Sequence, residues 1–425
     1  MAQTFPPRFV VVYLLFLSTL PAQYIGAGGC ASSNCHGGAS ALSEKESRIL
    51  GHEYSVWSVR DKHSKAYTVL ANERSKRMAE LLKLPNPQAA PRCLVCHAVG
   101  SPAKLVSDGV ACEGCHGPAE KWLGPHTSAK QTHAANVALG MVDTKEVAAR
   151  ARMCLECHLG KGNKIVDHEL IAAGHPDLVF ELDTFSAALP MHWRETRPQA
   201  GNTLPRVREW AVGQAVALGE GMRLLAGRSP AAWPEFADLE CYQCHHDLRA
   251  ESWRIQRGYY GRKAGALQVN LARQEVLRVL AAQAAKDQSG AVEAFLQQLA
   301  GLVAARLTDH TAISKTAAAA AQQADQLASR FARQDFDAGA AKSIIKALTA
   351  DIWRIANAGV NSAEQVTMTL DALGAAATGN AASFQTAIAK LYDYLEHPSA
   401  YHPGQFAEQF RKVAALGLAT EAQRH

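Results

Sequence analysis

The 425-residue sequence lacks several features that would place it in common protein classes. It contains no block of basic residues, and its formal net charge of +5 is spread along the chain, so no nucleic-acid interface is predicted. Ten cysteines are too few to form a disulfide scaffold at this length. The apolar content of 48% and the charged content of 20% are those of an ordinary soluble globular protein and indicate no oligomeric state.

No apolar run reaches the ~20 residues that a membrane-spanning helix needs. The apolar run Phe9–Leu20 follows a short positive segment, which is the pattern of a secretory signal peptide. Small residues at Ala22 and Ala27 offer two cleavage sites, and residues 1–27 form the predicted signal peptide. The alternatives are an uncleaved anchor and acylation of Cys30. The mature chain is therefore expected in the periplasm or outside the cell, without a transmembrane segment.

Cysteine is also absent from the C-terminal part of the chain, from about Leu267 onward. The preceding part is rich in Gly, Pro, His and Trp, which predicts loops and short helices ordered by something other than a conventional core. The C-terminal part has helical spacing of apolar residues, with a break at Ser289 and Gly290. The predicted fold is mainly α, with a haem-binding domain of little regular structure at 28–262 and a helical-bundle domain at 263–425. The predicted bundle helices are 267–285, 291–307, 311–331, 340–357, 362–373 and 381–395.

Eight of the ten cysteines belong to four segments with the pattern Cys-x-x-Cys-His. Two thiols one helical turn apart can each bond a vinyl group of one porphyrin, and the adjacent histidine can bind the iron. Zinc sites or disulfides would not need a histidine after every second cysteine. Four covalently bound c-type haems are therefore predicted. The residues are Cys93, Cys96 and His97; Cys112, Cys115 and His116; Cys154, Cys157 and His158; and Cys241, Cys244 and His245.

The last two cysteines form a longer motif that also ends in histidine. Cys30 and Cys35 have four residues between them, and His36 follows. Because the porphyrin fixes the distance between its vinyl groups, the extra residues must loop out, and Gly37 and Gly38 would leave room for a ring. A disulfide between the two cysteines is the alternative. We predict a fifth haem c here, which makes five in total.

Histidine is plentiful enough to supply the second axial ligand of each iron. The chain has seventeen histidines, whereas its methionines have no convincing context, so bis-histidine ligation with low reduction potentials is predicted. The candidates, in decreasing order of suitable context, are His63, His126, His175, His192 and His52. His133 and His168 are weaker candidates, and His246, next to a motif histidine, is expected to hydrogen-bond a propionate.

Several of these segments resemble a known family. They are Trp57 with His63-Ser-Lys-Ala-Tyr67, Cys112-Glu-Gly-Cys115-His116-Gly-Pro-Ala with His126, and the later motifs up to Trp253. Over roughly residues 28–260 the chain resembles the multihaem cytochromes of the cytochrome c-554 family. The resemblance implies closely stacked haem pairs, bis-histidine iron at most sites, and electron transfer. The fifth motif, its expansion and the long helical domain depart from the tetrahaem members.

The predicted function is electron transfer between redox protein partners by an exported pentahaem cytochrome. An alternative is a multihaem oxidoreductase in which one open haem acts on a small nitrogen or sulfur compound. The haem at Cys30 and Cys35 is the one expected to be most at risk of an open face, and Tyr259, Tyr260 and Arg262 are candidates for proton handling. A third possibility is that the helical domain docks the chain on a larger complex. An electron carrier is favoured over an enzyme.

Overall fold

The computed structural model describes residues 23–43, 45, 47, 49–100, 103–194, 204–245, 249, 265–270, 272–379 and 381–419. Within these ranges the protein consists of helices and turns, with two isolated β-bridges, so the predicted mainly α class is confirmed. None of the helices described is both long enough and apolar enough to span a bilayer. Residues 1–22 of the predicted signal peptide, His246, Tyr259, Tyr260 and Arg262 lie outside the described residues.

The N-terminal part is built of short helices that polar caps delimit, as the sequence predicted. Asn72 and Thr132, for example, accept backbone N–H groups of the helices that follow them, which fixes where each helix begins. The buried members of the main apolar core begin only at Ala151, so this part has little core of its own. The helices are α1 Glu53–Arg60, α2 Glu73–Leu81, α3 Pro91–His97, α4 Ala103–Val106, α5 Cys112–His116, α6 His133–Ala138, α7 Val147–Leu155, α8 His168–Ala172 and α9 Leu182–Ala188.

The C-terminal part is a helical bundle, as predicted, but several boundaries differ, and the last helix, Pro403–Leu418, was not among the predicted ones. The predicted break at Ser289 and Gly290 is wrong, because both residues lie inside a helix that buries Leu296 and Leu299. A glycine in a helix costs only about 1 kcal/mol, which this packing offsets. The helices are α11 Ala272–Ala284, α12 Lys286–Ala305, α13 His310–Ala332, α14 Ala338–Asn357, α15 Val360–Thr378, α16 Ala382–Leu395 and α17 Pro403–Leu418.

A long helix that the sequence did not predict joins the two parts. Helix α10, Pro205–Ala226, packs along α13, and the Cβ position of Gly219 would lie 3.4 Å from Ala324 Cβ. Small side chains let the two backbones approach closely, which explains the alanine run 317–321 on α13. The Trp210 indole N–H donates to Thr369 Oγ1 at 3.2 Å. The haem-binding part and the bundle therefore share one core across α10.

The packing of α15 against α16 can be tested at Gly374. A methyl group there would overlap the ring of Phe384, which is fully buried. We expect Gly374→Ala to lower the free energy of unfolding by about 1–3 kcal/mol in a denaturant titration. Gly301 on α12 is the matched control, because it is exposed with open space around it, and Gly301→Ala should stabilise by about 0.5–1 kcal/mol. Equal stability of the two variants would contradict this packing.

Candidate haem-binding sites

The five motifs define five candidate sites, numbered here along the chain. The cysteine pair is Cys30 and Cys35 at site 1, Cys93 and Cys96 at site 2, Cys112 and Cys115 at site 3, Cys154 and Cys157 at site 4, and Cys241 and Cys244 at site 5. In sites 2 and 3 a short helix, α3 or α5, contains both cysteines and ends at the motif histidine. All ten cysteines are free thiols. Among the described residues, no three His, Cys, Asp or Glu side chains converge on one point.

The expanded motif of site 1 folds back on itself. The backbone N–H groups of Cys35 and Gly37 both donate to the Ser32 carbonyl, each at 2.9 Å. The extra residues between the cysteines therefore form a backbone turn. A side chain at Gly37 would overlap the Ala31 carbonyl, so the turn itself requires glycine at this position.

Four of the five motif histidines face a second histidine at a distance that suits one iron ion between them. A metal–imidazole bond is about 2 Å long and the ring centroid lies roughly 1 Å behind the nitrogen, so two axial imidazoles have centroids about 6 Å apart. The centroid separations are 6.3 Å for His36 and His126, 6.4 Å for His97 and His175, 6.1 Å for His158 and His63, and 6.1 Å for His245 and His168. These pairs fit the donor set of a bis-histidine haem.

Contacts of Nδ1 with acceptor oxygens orient six of the histidines with Nε2 left over for a metal; five of these contacts are hydrogen bonds, and the sixth, His36 with Glu53, is an ion pair. In each, Nδ1 bonds a carbonyl or carboxylate oxygen, which can only accept, so Nδ1 carries the proton and Nε2 presents its lone pair. Such outer hydrogen bonds are the usual way of fixing an imidazole ligand. The pairs are His36 with Glu53 at 3.1 Å, His63 with Asp61 at 2.9 Å, His97 with the Ala66 carbonyl at 2.8 Å, His126 with the Leu123 carbonyl, His175 with the Pro176 carbonyl at 2.8 Å, and His192 with the Pro190 carbonyl at 2.9 Å.

Two other histidines differ from this pattern. His133 uses Nε2 itself, which lies 2.9 Å from Asp143 Oδ1, so its metal-binding nitrogen is engaged. His52 caps α1, and its Nδ1 is buried without a partner in the described part of the chain. The ring that faces His36 is that of His126, although the sequence had suggested His52 as the nearest downstream candidate for site 1.

The motif histidine of site 3 lies in a buried environment near His192. Burial, followed by the charges of His192 and His36, lowers the pKa of His116 to about 4. At this pKa the imidazole is neutral at physiological pH, which is the form that binds a metal. His192 also packs against Trp193, with ring centroids 5.1 Å apart.

A buried acidic group lies near site 4. The rings of Phe180 and Phe185 contact His158, with centroids 5.2 Å and 5.4 Å away. Next to Phe180, burial and then the neighbouring Asp183 carboxylate raise the pKa of Glu181 to about 7. Asp183 is itself paired with Arg206, at 3.0 Å and 2.7 Å. Burial, and then the charge of His63, lowers the pKa of His158 to about 4, so this ligand candidate is also neutral.

The sequence analysis undervalued His168. Asp167 caps α8 by accepting the Leu170 N–H at 2.9 Å, and this cap fixes His168 at the first residue of the helix. Arg92 of α3 then holds α8 in place through ion pairs with Asp167 and Glu169, each at 2.7 Å. The capping aspartate was visible in the sequence, but the approach of α8 to His245 is a tertiary contact that no local pattern indicates.

Contacts between motifs set the order of the sites in space. The Cys30 thiol of site 1 hydrogen-bonds Cys112 of site 3, and this bond lowers the pKa of Cys30 to about 7. Burial, and then the charge of Cys154 in site 4, raises the pKa of Cys115 in site 3 to about 12. Cys157 of site 4 hydrogen-bonds Cys96 of site 2. The Arg92 ion pairs connect site 2 to the helix that carries His168. The spatial order is therefore 1, 3, 4, 2, 5.

Thiol pairs that are each followed by a histidine, together with facing imidazoles, form the donor set that c-type cytochromes use. Residues 30–117 match the family described as cytochrome c554 and c-prime, and this segment contains sites 1, 2 and 3. The match supports a cytochrome c-554-like multihaem family, haem c as the cofactor and electron transfer as the activity. No curated protein and no solved structure matches the chain.

Proposed function

We propose that the protein is an exported pentahaem cytochrome that transfers electrons between redox protein partners. The observation that carries this proposal is the set of four imidazole pairs with centroids 6.1–6.4 Å apart. Bound haem supplies reversible one-electron chemistry at iron, and two imidazole ligands keep its potential low. The protein chain holds the porphyrins, supplies both axial ligands of each iron and so excludes other ligands.

Each group of residues has one role in this proposal. The ten cysteines attach the porphyrins, and the motif histidines bind iron from one side. Carboxylates and carbonyls at the Nδ1 atoms fix the tautomer of the imidazoles and hold their orientation. The second ligands that we assign are His126 at site 1, His175 at site 2, His192 at site 3, His63 at site 4 and His168 at site 5.

The exposure of the sites supports a role in transfer between partners. Cys35 of site 1 and both cysteines of site 5 are exposed, whereas the cysteines of sites 2, 3 and 4 are partly buried. Sites 1 and 5 are also the two ends of the spatial series. Redox partners would therefore dock at opposite ends of the series, and the three inner sites would be shielded from them.

The pairing at site 1 favours a carrier over an enzyme. This was the site considered most at risk of an open face, but His126 faces His36 with the two rings only 9° from parallel. A closed iron cannot bind a substrate. If all irons are closed, carbon monoxide added to the reduced protein leaves the Soret band unchanged. A shift of the Soret band with the amplitude expected for one haem would instead support the oxidoreductase alternative.

Haem count tests the proposal directly. Expressed in a periplasm that has a cytochrome c maturation system, the protein should lack at least residues 1–22 and carry five thioether-linked haems by intact mass and pyridine haemochrome assay. Replacing Cys30 and Cys35 together by alanine should leave four haems. Ser33→Ala in the same loop is the matched control and should retain five. A wild-type protein with four haems would remove site 1 from the proposal, and one with none would refute it.

A further inference from the structure

A cavity lies between the haem-binding part and the bundle, and it borders three of the candidate sites. Its volume is about 80 Å³. On one wall, Leu159 directly follows His158, Val166 lies just before His168, and Asp177 lies just after His175. The opposite wall comes from α10, α11 and α15. The cavity is therefore adjacent to ligand candidates of sites 2, 4 and 5.

One of the two arginines in this cavity has its charge satisfied. Arg228 is buried, and its guanidinium group donates to both carboxylate oxygens of Asp238, each at 2.9 Å. This bidentate arrangement is the strongest pairing that a guanidinium makes with a carboxylate. Arg228 and Asp238 therefore neutralise each other and need no further ligand.

The second arginine, Arg273 of α11, makes no ion pair within 4 Å among the described residues, and the charges of Asp177 and Asp238 act on it only from further away. One terminal N–H donates to the Leu178 carbonyl at 3.3 Å, and Nε is buried with no partner among the described residues. Burial lowers the pKa of Arg273, which indicates that this site penalises its charge. The nearby Asp177 carboxylate already accepts the Leu178 N–H at 2.7 Å and the Asn361 amide at 2.6 Å. The half-buried Arg273 guanidinium therefore keeps N–H donors that no carboxylate of the described residues satisfies, and an anionic ligand in the cavity could accept them.

We infer that Arg273 forms a carboxylate-binding site in this cavity, and that its ligand is a propionate of a bound haem. This inference rests on the proposed function, because the haems supply the propionates. A planar guanidinium suits a carboxylate in geometry and charge. A small oxyanion from solution has the same chemistry, but the three bordering sites favour the haem. A cation of the helical bundle thereby raises the reduction potential of a haem that is bound by the N-terminal part.

The test compares reduction potentials of the fully haem-loaded protein and its variants. Arg273→Gln should lower the potential of one haem, because removing a nearby positive charge stabilises ferric iron relative to ferrous iron. Arg273→Lys keeps the charge and should restore most of that potential. Arg411→Gln on α17, an exposed position, is the matched control and should change none. Spectroelectrochemical titration resolves the individual haems, and all variants should retain the wild-type haem count.

The outcomes separate the two sources of the anion. If no potential changes in Arg273→Gln, but the wild type binds acetate or nitrite in calorimetry and the variant does not, then the anion site stands and its ligand comes from solution. Unchanged potentials together with no binding of either anion would overturn the site. A wild-type haem count below five counts against the proposed function and leaves the Arg273 comparison to be made on the haems that are present.

Discussion

A chain that ends at Gly265 is expected to lose its stable fold, although its haem motifs would all be present. The truncation removes α11 to α17 and exposes the part of α10 that packs on the bundle; α10 is buried all round there, and Trp210, Val212, Val216 and Leu218 are each at most 3% exposed. Burying one such side chain contributes about 1.5–3 kcal/mol, and a domain has a total stability of only about 5–15 kcal/mol. Exposing several such side chains at once, on α10 and its neighbours, would remove most or all of that stability.

The composition of the sequence alone suggests the opposite result. If the haem-binding domain ended before residue 265 and folded by itself, the shortened chain would keep the absorption spectra of all its haems. Limited proteolysis and dye binding to exposed apolar surface can decide between the two, with secretion yield as a third measurement. A chain shortened only to Ala419 is the control, because it keeps every described helix. If the chain that ends at Gly265 were protease-resistant and spectrally intact, the core across α10 would be dispensable.

Replacing His168 by methionine is expected to raise the reduction potential of one haem strongly while all five haems stay attached. A thioether stabilises ferrous iron more than an imidazole does, and the identity of the axial ligand controls a range of about 0.8 V. Potentials resolved by spectroelectrochemistry would show one wave displaced. Attachment should not change, because the thioether bonds of site 5 come from Cys241 and Cys244.

His133→Met is the matched control for this measurement. His133 is as near to the motifs in sequence, but its Nε2 faces Asp143 at 2.9 Å, so its loss should leave every potential in place. His63→Met should behave like His168→Met, at a different haem. If His168→Met gives wild-type spectra and potentials, site 5 takes its second ligand from elsewhere.

The sequence predicted the parts of the sites that depend on local chemistry. Attachment through Cys-x-x-Cys-His is a matter of neighbouring residues, so the motifs were recognisable without a fold. The helical bundle was also predictable, because its apolar residues recur at helical spacing. The fifth motif could be proposed because its cysteine and histidine end was intact, and the turn at Ser32 explains how its longer spacing is accommodated.

The parts that were missed depend on tertiary contacts. Helix α10 has a nearly continuous stretch of buried residues from Trp210 to Gly219, so it lacks the polar face by which a surface helix is recognised. The segment that leads to His63 is not one continuous helix: α1 ends at Arg60, because Asp61 takes an extended conformation and accepts the His63 backbone N–H at 2.9 Å. The partner of each motif histidine is distant in sequence, and only the fold selects it.

The facing histidines also constrain how the chain can assemble. The pair His36 and His126 encloses the stretch that contains His63, and the pair His63 and His158 encloses His97, so the loops that the pairs close overlap along the chain. Overlapping loops cannot be completed one after another as independent modules, since each needs residues that lie beyond the start of the next. The loss of chain entropy on closing one loop therefore lowers the further loss on closing the loops that overlap it. If the histidine pairs bind iron as proposed, the haem-binding part folds as one unit. Folding is complete only when the chain up to site 5 is present.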